Sequence, residues 1–259
     1  MNPAYLAALT SGMRRALGTP GELIVRISFY LVIRVVFSAL WGAAVDANDG
    51  SIAGYSFVAL LWYVAAAEGA VVATKPRMIE EIGDDIGSGS ITTEMLRPVS
   101  VVGFRLAAEL GEALVRLAFA VASGGVFVVV AVGPPPDAVG ALLAVPALVL
   151  AVACNIAAQH IFAAAAFWVE DAKASWFLYQ KVVFLLGGML LPLEMLPEPL
   201  AAVARSLPFW TTAYVPGRLL SGHPEWSLLG IQLVWLGVLV GSATYVFHLG
   251  ERRLQAVGG

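Results

Sequence analysis

Residues 75–100, KPRMIEEIGDDIGSGSITTEMLRPVS, form a long polar interval between hydrophobic runs that are each long enough to cross a bilayer. The chain has 259 residues, of which 59% are hydrophobic and 13% are charged. Soluble domains contain roughly 45–50% apolar and about 25% charged residues. The composition therefore predicts an all-α integral membrane protein, in which this polar interval lies outside the bilayer.

Six transmembrane helices are predicted, because a helix needs about 20 apolar residues to cross a hydrocarbon core about 30 Å thick. Residues 1–20 place leucines and a methionine at helical spacing beside two arginines, which is typical of an amphipathic interfacial helix in the headgroup plane. Residues 192–225 are interrupted by prolines, which predicts a re-entrant segment of short helices. The whole chain is one transmembrane domain, whose predicted spans are residues 23–45, 52–74, 101–132, 138–169, 175–191 and 226–249.

Loop charge predicts the orientation. With the N-terminus in the cytoplasm, the inside segments carry most of the loop lysines and arginines, whereas the outside segments carry only Arg205 and Arg218. Both termini and residues 75–100 are then cytoplasmic, residues 192–225 are extracellular, and the protein is a multi-pass protein of the inner or plasma membrane. The net charge of -3 and the scattered basic residues exclude a nucleic-acid partner.

The predicted spans contain several charged residues. Glu109, Glu112 and Arg116 share one helical face, and the spacing of Glu112 and Arg116 suits an ion pair. This face either meets water or a partner protein, or it lines a translocation path. Arg34 lies near the middle of the first span and needs a partner. Glu68 is the first candidate, with Glu109 or Glu112 as alternatives, and a structural pair is favoured over a substrate site.

The sequence contains few features of a catalytic site. The three histidines lack the spacing of a metal site, and the single cysteine, Cys154, lies in an apolar run and reads as a small buried side chain. The sequence has no GxxxxGK[ST] motif, so ATP cannot bind to a P-loop of this chain. We therefore expect no catalytic residue, metal or cofactor on this chain, and any ATP-driven work requires a separate polypeptide.

A short amphipathic helix of about three turns is predicted in the polar interval, with Pro76 suited to its first position and with Gly87 and Gly89 at its end. Because clustered carboxylates are repelled by an anionic inner leaflet, docking to a protein is favoured over lying on lipid. The apolar stripe is expected to be the docking face. The stripe comprises Met78, Ile79, Ile82 and Ile86, and the acidic rim comprises Glu80, Glu81, Asp84 and Asp85.

Two segments resemble the permease subunits of type-2 ABC exporters (the ABC-2 family). The first is IGSGSITTEMLRPVS, residues 86–100, with its Leu-Arg-Pro ending, and the second is the proline-rich GGMLLPLEMLPEPLAAVARSLPFW, residues 187–210. The resemblance covers nearly the whole chain and includes the order of the spans. It implies a dimer of two permeases, identical or related, each paired with a separate ABC ATPase that binds ATP and Mg²⁺.

The resemblance also implies roles for particular residues. The helix after the second span would be the coupling helix, inserted in a cleft of the ATPase. The first, second and fifth spans would line the path of an amphipathic or hydrophobic substrate. The implied coupling residues are those of the stripe and rim with Leu96 and Arg97, and the possible substrate-lining residues are Phe29, Phe37, Trp62, Trp176 and Phe177.

The function expected from these observations is that of a permease subunit moving its substrate outward, with hydrolysis on the partner ATPase and lipid around the spans. Two alternatives work without an ATPase. One is an ion-coupled carrier that uses Glu68 or Glu109, and the other is a polytopic membrane enzyme. Dependence on a proton gradient without ATP would favour the carrier.

Overall fold

A computed structural model describes residues 2–95, 98–169 and 172–257. The described residues are helical apart from turns, loops and one two-stranded hairpin, so the predicted all-α class is confirmed. The elements are α1 (Pro3–Gly18), α2 (Pro20–Asp46), β1 (Ser51–Ile52), β2 (Tyr55–Ser56), α3 (Phe57–Val72), α4 (Met78–Gly87), α5 (Ile91–Met95), α6 (Val101–Val132), α7 (Ala138–Ala163), a 3-10 helix (Ala164–Phe167), α8 (Ala172–Leu186), a second 3-10 helix (Leu193–Met195), α9 (Glu198–Ser206), α10 (Trp210–Leu220) and α11 (Ser227–Val257).

Among the described residues, four helical stretches are long and apolar enough to cross a membrane, namely Pro20–Asp46, Val101–Val132, Ala138–Phe167 and Ser227–Arg253. They overlap the first, third, fourth and sixth predicted spans. The helices in the regions of the second and fifth predicted spans are shorter, with 16 residues in α3 and 15 in α8. At a rise of about 1.5 Å per residue they extend about 24 Å. The count of six spans therefore stays a prediction.

The second predicted span begins later than expected. Residues 51–56 form an antiparallel hairpin, in which Ser51 pairs with Ser56 and Ile52 pairs with Tyr55. The turn residues Ala53 and Gly54 have φ of +50° and +84°, the left-handed pair that a tight hairpin turn requires. Helix α3 starts only at Phe57, after the Ser56 hydroxyl accepts a hydrogen bond from the amide of Ala59 at 3.3 Å.

The fifth predicted span ends earlier than expected, because α8 stops at Leu186 rather than continuing to residue 191. Gly188 follows with φ of +72°, and a Cβ atom there would lie 2.8 Å from Cβ of Tyr214. The chain can therefore turn toward α10 only with glycine at this position. The amide of Tyr214 donates to the carbonyl of Gly187 at 3.0 Å, so this turn is held by backbone bonding.

Residues 192–225 contain a 3-10 turn, α9 and α10, as the prolines predict. Helix α10 packs against α3 and α7. The buried amide of Gln232 in α11 donates to the carbonyl of Thr211 at 2.8 Å and to that of Ala147 at 3.1 Å. Gln232 therefore joins α11 to α10 and to α7 through backbone carbonyls.

Helix α1 packs closely on α6 through small residues. A Cβ atom on Gly12 would lie 2.0 Å from the carbonyl oxygen of Ala108, and one on Gly111 would lie 2.0 Å from that of Leu9. The two backbones can approach this closely only because both positions are glycine. The buried face of α1 consists of Ala8, Gly12 and Ala16, whereas Leu6 and Leu17 of the predicted apolar stripe are exposed.

Candidate functional site

Helix α4 forms for local reasons that its sequence contains. Glu80 and Glu81 lie in its first turn, where negative charge interacts favourably with the helix dipole. Its apolar residues recur at helical spacing, which gives one apolar face. Past the end of the helix, Gly89 adopts φ of +75°, a conformation that side chains other than glycine rarely accept. These features explain why α4 is a helix of ten residues with one apolar face.

The apolar stripe of α4 is not available to a partner. Met78, Ile79, Ile82 and Ile86 are each at most 3% exposed, and α4 packs on α7, α8 and the 3-10 helix between them. A Cβ atom on Gly83 would lie 2.3 Å from Cβ of Ala172, which shows how closely α4 approaches α8. The prediction that the stripe is a docking face is therefore wrong. Sequence periodicity reveals an apolar face but not which surface covers it.

The acidic rim forms the outward surface of α4. Glu81 and Asp84 are exposed, whereas Glu80 and Asp85 are partly buried. Glu80 accepts from Arg77 at 2.6 Å, and Asp85 pairs with Arg105 of α6 at 2.7 Å. Arg105 also binds Glu94 at 2.6 Å, so it joins α4, α5 and α6. Leu96 and Arg97, the other two predicted coupling residues, lie outside the described residues.

A cluster of charged residues joins Lys75 and α4 to α1, α2 and α6, and we call it the charged cluster. Glu112 and Arg116 pair at 3.2 Å, so the predicted ion pair is confirmed. Lys75 lies within 3.4 Å of Glu109 and Glu112 and within 3.5 Å of Glu81. The other ion pairs join Arg15 to Glu112 at 2.7 Å, Arg116 to Glu22 at 3.2 Å and Arg26 to Glu22 at 2.9 Å.

Lys75 is the central cation of this charged cluster. Burial alone would lower the pKa of Lys75, but the carboxylates of Glu109, Glu112 and Glu81 raise it above its ordinary value. Lys75 therefore carries its charge at neutral pH, and it links α4 to α6 across the start of the polar interval. Sequence reasoning did not assign Lys75, Arg15, Glu22 or Arg26 to the site, although the i,i+4 spacing of Glu22 and Arg26 could have indicated one of the pairs.

Arg34 and Glu68 form a buried pair, and Glu68 is the first of the three partners that the sequence offered for Arg34. Nη2 of Arg34 lies 3.3 Å from Oε2 of Glu68, and both side chains are 2% exposed. The same nitrogen donates to the carbonyl of Val64 at 2.6 Å, and the guanidinium lies 4.8 Å from the ring centre of Tyr30. This pair fastens α2 to α3 and lines neither of the two cavities described below.

An apolar cavity of about 810 Å³ lies between α2, α7, α8 and the end of α3. Phe29 and Trp176 line it, as two of the five predicted substrate-lining residues. The remaining three do not. Trp62 is buried and donates to the carbonyl of Gly133 at 3.3 Å, Phe37 packs against the core beside α3, and Phe177 is exposed on α8.

A polar cavity of about 420 Å³ lies beside the apolar one and is lined by residues of the charged cluster. Lys75, Pro76, Glu22 and Arg26 line both cavities, so the two adjoin at the first turns of α2. This arrangement places charged groups next to an apolar space.

The comparisons with known proteins bear on the chain as a whole. A search of curated proteins gave no match. A sequence-family profile described as "ABC-2 family transporter protein" matches residues 23–258, which run from the end of the first turn of α2 to the end of α11. On this match the chain belongs to the ABC-2 transporter family.

Proposed function

We propose that this chain is the transmembrane permease subunit of an ATP-driven exporter. It pairs with a second permease, identical or related, and each permease binds a separate ABC ATPase that holds ATP and Mg²⁺. The complex moves an amphipathic or hydrophobic substrate outward, and both termini of the chain are cytoplasmic. Membership of the ABC-2 family implies an ABC ATPase partner in general and supports the transport role.

The observation that carries the coupling proposal is the orientation of α4. Its buried stripe anchors it to α7 and α8, and burying each such side chain stabilises by about 1.5–3 kcal/mol. Because α4 is anchored in this way, a movement of the ATPase against α4 is passed on to the rest of the protein. Its acidic rim, with Glu81 and Asp84 exposed, is the surface that the ATPase contacts.

The ion pairs between the region of α4 and α6 would transmit a movement of α4 to the predicted spans. Asp85 and Lys75 join the region of α4 to Arg105, Glu109 and Glu112 of α6. Movement of α4 therefore displaces α6, and α1 moves with it because the two helices meet at Gly12 and Gly111. The two-state element biased by ATP is the arrangement of the helices around the apolar cavity.

The test is co-purification of the chain with its ATPase after charge reversal on α4. In Asp84→Lys a positive charge replaces one of the two exposed carboxylates of the rim, and the charge of Glu81 is then offset. We expect association with the ATPase to fall at least tenfold. The matched control is Glu198→Lys in α9, whose side chain is 86% exposed and which we place on the opposite side of the membrane. Equal co-purification of both variants would contradict the coupling role of the rim.

A further inference from the structure

The apolar cavity of about 810 Å³ has the size of a ligand pocket, since such pockets measure roughly 300–1,000 Å³. Val25 and Phe29 of α2 and Phe184 of α8 line the cavity and are exposed, so the cavity opens at these two helices. Helix α2 is long and apolar enough to cross a membrane, and its exposed apolar residues then face lipid. A ligand of this cavity therefore has an apolar part and enters from the bilayer.

The charged residues that line this cavity are already matched. Glu22 and Arg26 pair with each other at 2.9 Å, and Lys75 is surrounded by three carboxylates. Lys181 is exposed on α8, with its ammonium 4.9 Å from the ring centre of Phe177. Among the described residues, no buried charge faces the cavity without a counter-charge. The cavity therefore favours an uncharged ligand.

The inner wall of the cavity carries uncharged polar side chains. Asn155 of α7 uses its amide within the protein, donating to Oγ1 of Thr74 at 3.0 Å and accepting from the hydroxyl of Tyr179. Gln159 lies one turn further along α7, lines the cavity and is only 3% exposed, but its amide has no hydrogen-bond partner among the described residues. The amide nitrogen and oxygen of Gln159 keep accessible surface, so they face the cavity that the side chain lines.

The amide of Gln159 would select a ligand by hydrogen bonding, because it offers two N–H donors and one carbonyl acceptor. A purely apolar ligand would displace water from this amide and leave it unpaired, whereas a ligand with a carboxamide or hydroxyl would restore the hydrogen bonds. Sites that hydrogen-bond a group of the ligand discriminate strongly against analogues that lack this group. The wall therefore favours an amphiphile over a plain hydrocarbon.

We propose that the apolar cavity binds an uncharged amphiphile. Its apolar chain lies beside Phe29 and Val183, and its polar head, which carries both a donor and an acceptor, bonds to the amide of Gln159. This inference rests on the proposed export function, since it names the chemical class of the substrate.

The test is binding of decanamide to the full chain, purified in a neutral detergent without any ATPase and corrected for partition into empty micelles. Undecan-2-one has the same shape with a methyl group in place of the NH₂ donor, decanoate has a charged head, and acetamide supplies the head alone. We expect decanamide to bind at least tenfold more tightly than each of the three. Equal binding of the ketone would overturn the hydrogen-bonding wall, equal binding of acetamide would overturn the role of the apolar cavity, and equal or tighter binding of decanoate would overturn the uncharged head.

Variants then locate the head of the ligand. Gln159→Leu keeps the size of the side chain but removes the amide, so decanamide binding should fall at least tenfold while undecan-2-one binding stays within twofold. Asn48→Leu is the matched control, because Asn48 is exposed and does not line the cavity, and it should leave the binding of both ligands unchanged.

An equal loss of both ligands in Gln159→Leu, or no loss, would refute the bond to Gln159. If Gln159→Leu does not fold, the comparison of decanamide with the ketone in the unaltered chain decides the question. Since the ATPase is absent, failure here leaves the co-purification test of coupling unaffected.

Discussion

Single residues decide how closely the helices of this protein approach one another. Gly12 and Gly111 let α1 and α6 meet backbone to backbone, and this contact attaches α1 to the long helix that carries the charged cluster. Because α6 also receives the ion pairs from α4, the position of α1 is coupled to that of α4. A change at a glycine in this contact therefore reaches the candidate site.

Gly111→Ala should destabilise the protein by about 1–3 kcal/mol, because the new Cβ atom would overlap the carbonyl oxygen of Leu9. Gly125→Ala on the same helix is the matched control, since nothing lies within 4 Å of a Cβ atom there. A helical glycine replaced without strain gains about 0.4–1 kcal/mol. Thermal unfolding in detergent should therefore shift in opposite directions for the two variants, and equal shifts would contradict the close contact.

The buried pair of Arg34 and Glu68 provides a second prediction at this scale. Arg34→Met leaves the Glu68 carboxylate buried without a counter-charge, which should cost about 3–5 kcal/mol. The double variant with Glu68→Met removes both charges and should recover much of that loss. Unfolding free energies of the two single variants and the double variant measure the coupling. A double variant no more stable than Arg34→Met would contradict a structural ion pair.

At the scale of elements, α4 shows where sequence reasoning succeeded and where it stopped. The spacing of its apolar residues predicted a short amphipathic helix that begins near Pro76 and is ended by Gly87 and Gly89, and α4 spans Met78–Gly87. Periodicity could not identify the surface against which the stripe packs, because α7 and α8 are distant in sequence and meet α4 only in the folded chain. The acidic rim, which the sequence left unexplained, is the outward face.

Ile82→Ala should therefore destabilise the protein itself by about 2–5 kcal/mol, as expected for a truncated buried side chain. Asp84 on the same helix is exposed, so Asp84→Lys should change the free energy of unfolding by less than about 0.5 kcal/mol. Chemical unfolding of the purified chain measures both. If Ile82→Ala unfolds like the unaltered protein, the stripe does not anchor α4.

The hairpin at residues 51–56 and the early end of α8 are elements that hydropathy missed. Ile52 and Tyr55 are apolar, so a hydropathy pattern assigns them to a span. The turn at Ala53 and Gly54 needs positive φ at both positions, and alanine gives little sign of this in the sequence. Helix α8 ends early beside Gly188, where Tyr214 approaches closely, and this contact between residues distant in sequence could not be read from hydropathy.

At the scale of the whole molecule, long-range charge pairing was partly predictable. Glu112 and Arg116 share a helical face, so their pair could be predicted, whereas for Arg34 the sequence predicted only that a partner was needed and offered Glu68 first among three. The wider cluster could not, since Lys75 meets Glu109 and Glu112 only because α3, α4 and α6 converge. The same convergence places the polar cavity beside the apolar one.

The proposed contact between the acidic rim of α4 and the ATPase is tested most directly by cross-linking from single cysteines. The native Cys154 is buried among apolar residues, which keeps the background low. With a thiol-reactive photo-cross-linker, the Asp84→Cys variant should capture the ATPase in the assembled complex, and the Glu198→Cys variant should not. Capture from position 198 but not from position 84 would contradict the orientation of the chain and the coupling role of α4 together.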